Sequence, residues 1–119
     1  MATSVKAEVL HEFCVQVLEQ LDLEERDADI TASALIAADL RGVDSHGVAH
    51  LSRYVRGLKS GSLKARPNIR VLRETASTAL VDGDRGLGFV VAHRCMEIAI
   101  AKARSAGSGT VVARRSTHY

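Results

Sequence analysis

Aromatic residues are scarce in this sequence, with two Phe, two Tyr and no Trp in 119 residues, so it offers few platforms on which the bases of a single-stranded nucleic acid could stack. It also lacks charge of one sign. Sixteen Lys and Arg are interspersed with 14 Asp and Glu for a net +2, and no basic surface of the kind that binds nucleic acid is implied. The two cysteines, Cys14 and Cys95, are too few and too far apart for a disulfide framework or a metal cluster. Both fall in apolar helical patterns and read as free buried thiols. No unbroken apolar run follows Met1–Lys6, and none elsewhere reaches membrane-spanning length. These absences point to a cytoplasmic protein with neither nucleic acid nor membrane as a partner. What is present is ordinary globular composition, 46% hydrophobic and 25% charged, in a chain long enough for one domain-sized core.

The first half reads as helices. From Ser4 as N-cap, Val9, Phe13, Val17 and Leu21 recur at helical spacing. Asp22 and Glu25 have capping-box spacing and open a second helix through Ile30, Ala34, Leu35 and Ala38 towards Leu40, with Gly42 as the stop. Its many alanines admit close neighbours. A third helix is expected from about Ser45 to Leu58, closed by Gly61. It carries Val48, Leu51, Val55 and Leu58 on one side, His46, His50, Arg53 and Gly57 on the other, and Tyr54 at the edge.

After Pro67, the only proline, short β-prone runs take over: Ile69 to Leu72, Ala79 to Asp82 and Thr110 to Ala113. A helix from about Phe89 to Ser105 lies between the last two, with Val90, His93, Ile98 and Ala101 among its less polar positions. This is a parallel crossover unit. The expected class is therefore mixed α/β, with a helical segment over 1–66 and the start of a mixed-sheet domain over 67–119. A sheet of so few strands leaves an open edge.

Asp44-Ser45-His46-Gly47 lies where one helix ends and another begins, a junction whose unpaired N–H groups favour negative charge. An imidazole exchanges protons near neutral pH, so His46 is a candidate acid–base group with Ser45 to orient it. His46 and His50 are one turn apart, but the glutamate of the zinc-protease motif and a third ligand are missing, so no metal is assigned. Arg53 offers a planar fork matched to a carboxylate. Gly83-Asp84-Arg85-Gly86-Leu87-Gly88 joins strand to helix with the wrong glycine order for a dinucleotide fingerprint and reads as a tight turn with room for an anion. His118 follows a strand, where a scaffold commonly holds functional side chains.

Taken in order, Leu40-Arg41-Gly42-Val43-Asp44-Ser45-His46-Gly47, Arg53-Tyr54, Val81-Asp82-Gly83-Asp84 with Gly86-Leu87-Gly88, and Ser116-Thr117-His118-Tyr119 resemble the malate/L-lactate dehydrogenase family, which includes ureidoglycolate, sulfolactate and diketogulonate enzymes. The resemblance implies the N-terminal part of a non-Rossmann fold, hydride transfer between NAD or NADP and a 2-hydroxy or 2-oxo acid, and a homodimer in the full-length protein. By motif position His46 and His118 match histidines that donate or accept the proton in different members, Ser45 the serine paired with the first of them, and Tyr54 a tyrosine near the substrate. The sequence does not assign the role to one of the two, with His118 favoured for alcohol oxidation and His46 for reduction.

The sequence also departs from the family pattern. His50 stands where many members have an arginine for the substrate carboxylate, which either passes that task to Arg53 or weakens it; Ser52 replaces a common proline; and Arg115 takes a position often held by asparagine. Because family members are considerably longer, the chain is expected to be a fragment, inactive alone and without most cofactor contacts. The rival reading is a non-catalytic module that pairs with a full-length relative through a symmetric interface.

Overall fold

A computed structural model of the chain describes residues 3–119. The chain divides into two compact units, the first ending at Ala65 and the second spanning Arg66–Tyr119.

The first unit contains helices α1 (Ala7–Gln20) and α2 (Glu25–Leu40), two single 3-10 turns (Asp44–His46 and Val48–His50) and helix α3 (Leu51–Ser60). α1 packs on α2. The buried stripe of α1 is Cys14 and Leu18, flanked by half-buried Leu10 and Leu21, whereas Val9 and Phe13 are 59% and 54% exposed. The expected core stripe is thus displaced by one position. α1 carries two apolar stripes, and the one that is buried accompanies α2, whose Ala28 and Ala32 are both fully buried along with Leu35 and Ile36.

The expected N-caps also move. α1 begins after Lys6 and α2 after Glu24, neither with a side-chain cap, so Ser4 and Asp22 do not cap. Asp22 instead ends α1. It takes a left-handed conformation (φ 74°), its N–H bonds to the Glu19 carbonyl, and the Leu23 N–H reaches back to the Leu18 carbonyl. That is a Schellman closure with aspartate where glycine is usual. Gly42 (φ 77°) closes α2 in the same way, with Gly42 N–H to Asp39 and Val43 N–H to Ala38.

The second unit is a three-stranded mixed sheet with one helix. β1 (Arg70–Glu74) and β2 (Thr78–Gly86) form an antiparallel hairpin, closed by the Thr75 N–H to the Thr78 carbonyl (2.9 Å). α4 (Gly88–Ala106) then crosses to β3 (Thr110–Ser116), parallel to β2, in the strand order β1-β2-β3. The core joins Ala79 and Val81 of β2 to Leu87, Val90 and Val91 at the start of α4. His93 and Ala101, read as less polar positions of this helix, are exposed. β1 and β3 are the edge strands, and Val112 on β3 is 59% exposed.

The expected tight turn over Gly83 to Gly88 is not a simple turn. β2 continues to Gly86 through an irregularity between Asp82 and Gly86, where Asp84 (φ 50°) and Arg85 (φ 61°) are both left-handed. This is a bulge, the usual device for re-aiming the end of a strand. Cys14 is buried and Cys95 half-buried; both thiols are free, and burial raises the pKa of each, which keeps them protonated and inert. Among the described residues no helix is long and apolar enough to cross a membrane.

Candidate functional site

In the first unit the site begins with a carboxylate at the wrong end of a helix. Asp39 lies in the last turn of α2, where the helix dipole disfavours negative charge. It is held there by accepting the Val48 N–H at 3.0 Å, and it fills the space that a side chain at position 47 would need. A side chain at position 47 would push Asp39 out of that bond. The extended Gly47 backbone (φ −95°, ψ −147°) breaks the expected continuous helix into the two 3-10 turns that precede α3.

That break sets the placement of His46. Ser45 Oγ and His46 Nδ1 share a hydrogen bond of 2.8 Å, which fixes the ring against its neighbour. From there the rings form a ladder. The His46 and His50 centroids are 5.7 Å apart, and His50 stacks on Tyr54 at 6.2 Å with 25° between the planes. Tyr54, expected at the helix edge, is 2% exposed and anchors the ladder in the core. Burial pushes its phenol pKa up, partly opposed by the nearby charge of Arg53, so Tyr54 keeps its proton near neutral pH. Arg53 itself is exposed. The structure thus brings Ser45, His46, His50 and Tyr54 together on consecutive turns, with Arg53 next to Tyr54 in the chain.

In the second unit, His118 lies just beyond β3 on an exposed segment. The segment leading to it is gripped by the strand-to-helix junction. Asp82, 1% exposed in the central strand, binds the Arg115 guanidinium by two hydrogen bonds, Nε to Oδ1 at 2.9 Å and Nη2 to Oδ2 at 2.8 Å. Arg114 and Arg70 stand 3.7 and 4.0 Å from the same carboxylate, and Asp82 Oδ1 also accepts the Asp84 N–H. The Arg115 hydrogen bonds above all, then that backbone bond, hold the Asp82 carboxyl well below the usual carboxylate range, and the carboxylate raises the Arg115 pKa in return.

The glycines of the junction serve the same grip. A side chain at Gly83 would meet the Arg115 carbonyl oxygen, and one at Gly88 the carbonyl oxygens of Thr117 and His118. The Gly88 N–H, first in α4, donates to Thr117 Oγ1 at 2.7 Å. The Gly83-to-Gly88 junction is therefore occupied by the chain's own residues 115–118 and leaves no cradle for the pyrophosphate of a dinucleotide.

Sequence reasoning missed Asp39 entirely, treated Asp82 only as a motif member and Arg115 only as a departure from the family pattern. An acid in the last turn of a helix was a usable signal for the first. An aspartate inside an otherwise apolar strand run, Val81 beside it and Ala79 and Leu80 before it, was one for the second, since a buried carboxylate requires a partner. Among the described residues no three His, Cys, Asp or Glu side chains converge as a metal-binding group.

The sequence profile described as malate/L-lactate dehydrogenase matches residues 5–119. A malate dehydrogenase of Pyrococcus horikoshii is 54% identical over 110 residues, covering 92% of this chain and 31% of its own length. The solved malate dehydrogenase structure from that organism superposes with a TM-score of 0.96 over 98% of this chain and 34% of its own. The sulfolactate dehydrogenase structure from Methanocaldococcus jannaschii gives 0.93 at 39% identity, over 96% of this chain and 33% of its own. Hydroxycarboxylate dehydrogenase B of Escherichia coli K12 is 38% identical over 112 residues, 94% of this chain and 31% of its own. The chain thus spans about a third of the length of the curated relatives it matches.

Proposed function

The chain belongs to the malate/L-lactate dehydrogenase family, and from that premise we propose that it supplies the substrate-side acid–base residues of an NAD- or NADP-dependent dehydrogenase of 2-hydroxy acids. The activity is proposed for a longer polypeptide that contains this chain, a homodimer in the cytoplasm, with the chain inactive alone. The observation that carries the reading is the Ser45–His46 hydrogen bond at the head of the His46-His50-Tyr54 ladder.

A nicotinamide cofactor carries the hydride in such a reaction. It does not fit the filled junction over Gly83 to Gly88, and most of its binding is assigned to residues outside this chain. What the present residues do concerns the proton. Reduction of a 2-oxo acid leaves a developing alkoxide, and a positioned acid that protonates it contributes on the order of 10²–10⁴-fold. With Nδ1 engaged by Ser45, His46 exchanges its proton with substrate at Nε2. His50 stacks beneath it and holds the substrate, Tyr54 backs His50 from the core, and Arg53 supplies positive charge for the carboxylate. His118, on its gripped segment, is the second candidate for the same group; by microscopic reversibility whichever histidine protonates the alkoxide in reduction takes that proton back in oxidation.

The test is NADH or NADPH oxidation with oxaloacetate and other 2-oxo acids by the full-length polypeptide. Alanine at His118 or His46 should lower kcat on the order of 10²-fold or more. Unchanged turnover in both variants would sink the acid–base assignment. Isolation of a native product of this length, bound to a longer relative, would favour the non-catalytic pairing module instead.

A further inference from the structure

We propose that Arg115 is a positioning residue for His118: seated in the Asp82 carboxylate, it fixes the direction in which the chain leaves β3 and hence where the imidazole is presented. This rests on the reading of His118 as an acid–base group.

The geometry carries the inference in three ways. First, the ion pair is directional. Two hydrogen bonds from one planar guanidinium to both oxygens of one carboxylate set orientation as well as distance. Asp82 sits in the central strand with almost no exposure, so the anchor itself is rigid.

Second, the backbone at the anchor turns sharply. Arg115 is left-handed at φ 53°, although β3 continues to Ser116. A non-glycine residue holds that conformation only where its surroundings over-determine it. Here the surroundings are the Asp82 carboxylate on the side chain and the bare Gly83 against the carbonyl.

Third, the stretch from this turn to His118 has little slack. Thr117 Oγ1 accepts the first N–H of α4, the Ser116 hydroxyl donates to the Thr117 carbonyl at 2.8 Å, and the Gly88 Cα lies against the carbonyls of residues 117 and 118. A change of angle at Arg115 is therefore passed along to the histidine. Arg115 touches no reacting atom in this scheme; it acts through the backbone.

The experiment is a double-mutant cycle between positions 115 and 118 in the full-length polypeptide, reading kcat and KM separately with a 2-oxo acid and following the melting temperature in parallel. Arg115→Asn is the variant of choice, because asparagine tolerates the left-handed backbone and cannot form the ion pair. The expected result is a fall in kcat on the order of tenfold to a hundredfold with KM nearly unchanged, the size of effect that a displaced catalytic group gives. In the His118→Ala background the same change should alter kcat by no more than about twofold, since residues that act as a unit are not additive.

If Arg115→Asn lowers kcat by its full factor in the His118→Ala background, or lowers only the melting temperature or raises only KM, the positioning role is wrong while the reading of His118 stands. If His118→Ala itself turns over normally, that reading falls, and this proposal with it. Should Arg115→Asn fail to fold, Arg115→Lys keeps the charge, loses the fork and passes through the same cycle under the same criteria.

Discussion

The two units hold their histidines by opposite means. In the helical unit His46 is placed by neighbours in the chain: Ser45 adjacent to it, His50 and Tyr54 on the next turns, and Asp39 reaching Val48 across nine positions. In the sheet unit the His118 segment is placed from a distance, with Gly88 meeting Thr117 across 29 positions and Asp82 meeting Arg115 across 33. One arrangement is a local fold of the backbone; the other exists only when β2, α4 and β3 are assembled. A single substitution should therefore cost more at the second site, and the comparison can be broken there first.

The largest effect is expected from Gly88→Ala. The added methyl would overlap the backbone carbonyls of Thr117 and His118, which cannot rotate away as a side chain could. A loss of about 3 kcal/mol is expected, the upper range for overpacking, measured as the shift in urea midpoint at constant m. A variant as stable as the parent would show that the grip on residues 117 and 118 is loose.

Acid should separate the units next. The Asp82 carboxyl, lowered in the folded state chiefly by Arg115, contributes stability that is complete above the ordinary carboxylate pKa of about 4. That contribution drains away as pH falls below this value towards the depressed one. Asp82→Asn should be less stable near neutral pH and should lose less between about pH 5 and pH 2. Parallel pH–stability curves for the two proteins would contradict the ion pair's role.

The smallest of the three is Gly47→Ala. Its methyl meets only the Asp39 side chain, which can swing aside at the cost of the Val48 hydrogen bond. A loss of about 1 kcal/mol follows from that single bond. A loss as large as that of Gly88→Ala would erase the contrast between local and distant placement.

The same contrast explains what could be read in the sequence. The helices, the two glycine stops at Gly42 and Gly61, the crossover unit and the nearness of His46 to His50 depend on periodicity and near neighbours, which a sequence displays, whereas Tyr54 was expected at the helix edge and lies in the core. The exact stripe of α1 was not legible, because Val9-Phe13 and Cys14-Leu18 are both apolar at helical spacing and only packing with α2 selects between them. Asp22 misled because its spacing to Glu25 suits a helix start, while its tolerance of left-handed backbone suited the preceding helix end. The Gly83-to-Gly88 junction looked like a turn with room for an anion. Its true occupant, the backbone of residues 115–118, comes from a strand that periodicity could predict but not place in register.

The parallel pairing of β2 with β3 has a kinetic consequence. Closing a loop that spans a whole helix must come before any contact rewards it, whereas the α1–α2 hairpin and the Ser45-to-Tyr54 ladder need only short-range closure. The helical unit is expected to reach its native arrangement first, and the seat of His118 to be among the last parts of the chain to form during folding and the first to open under stress.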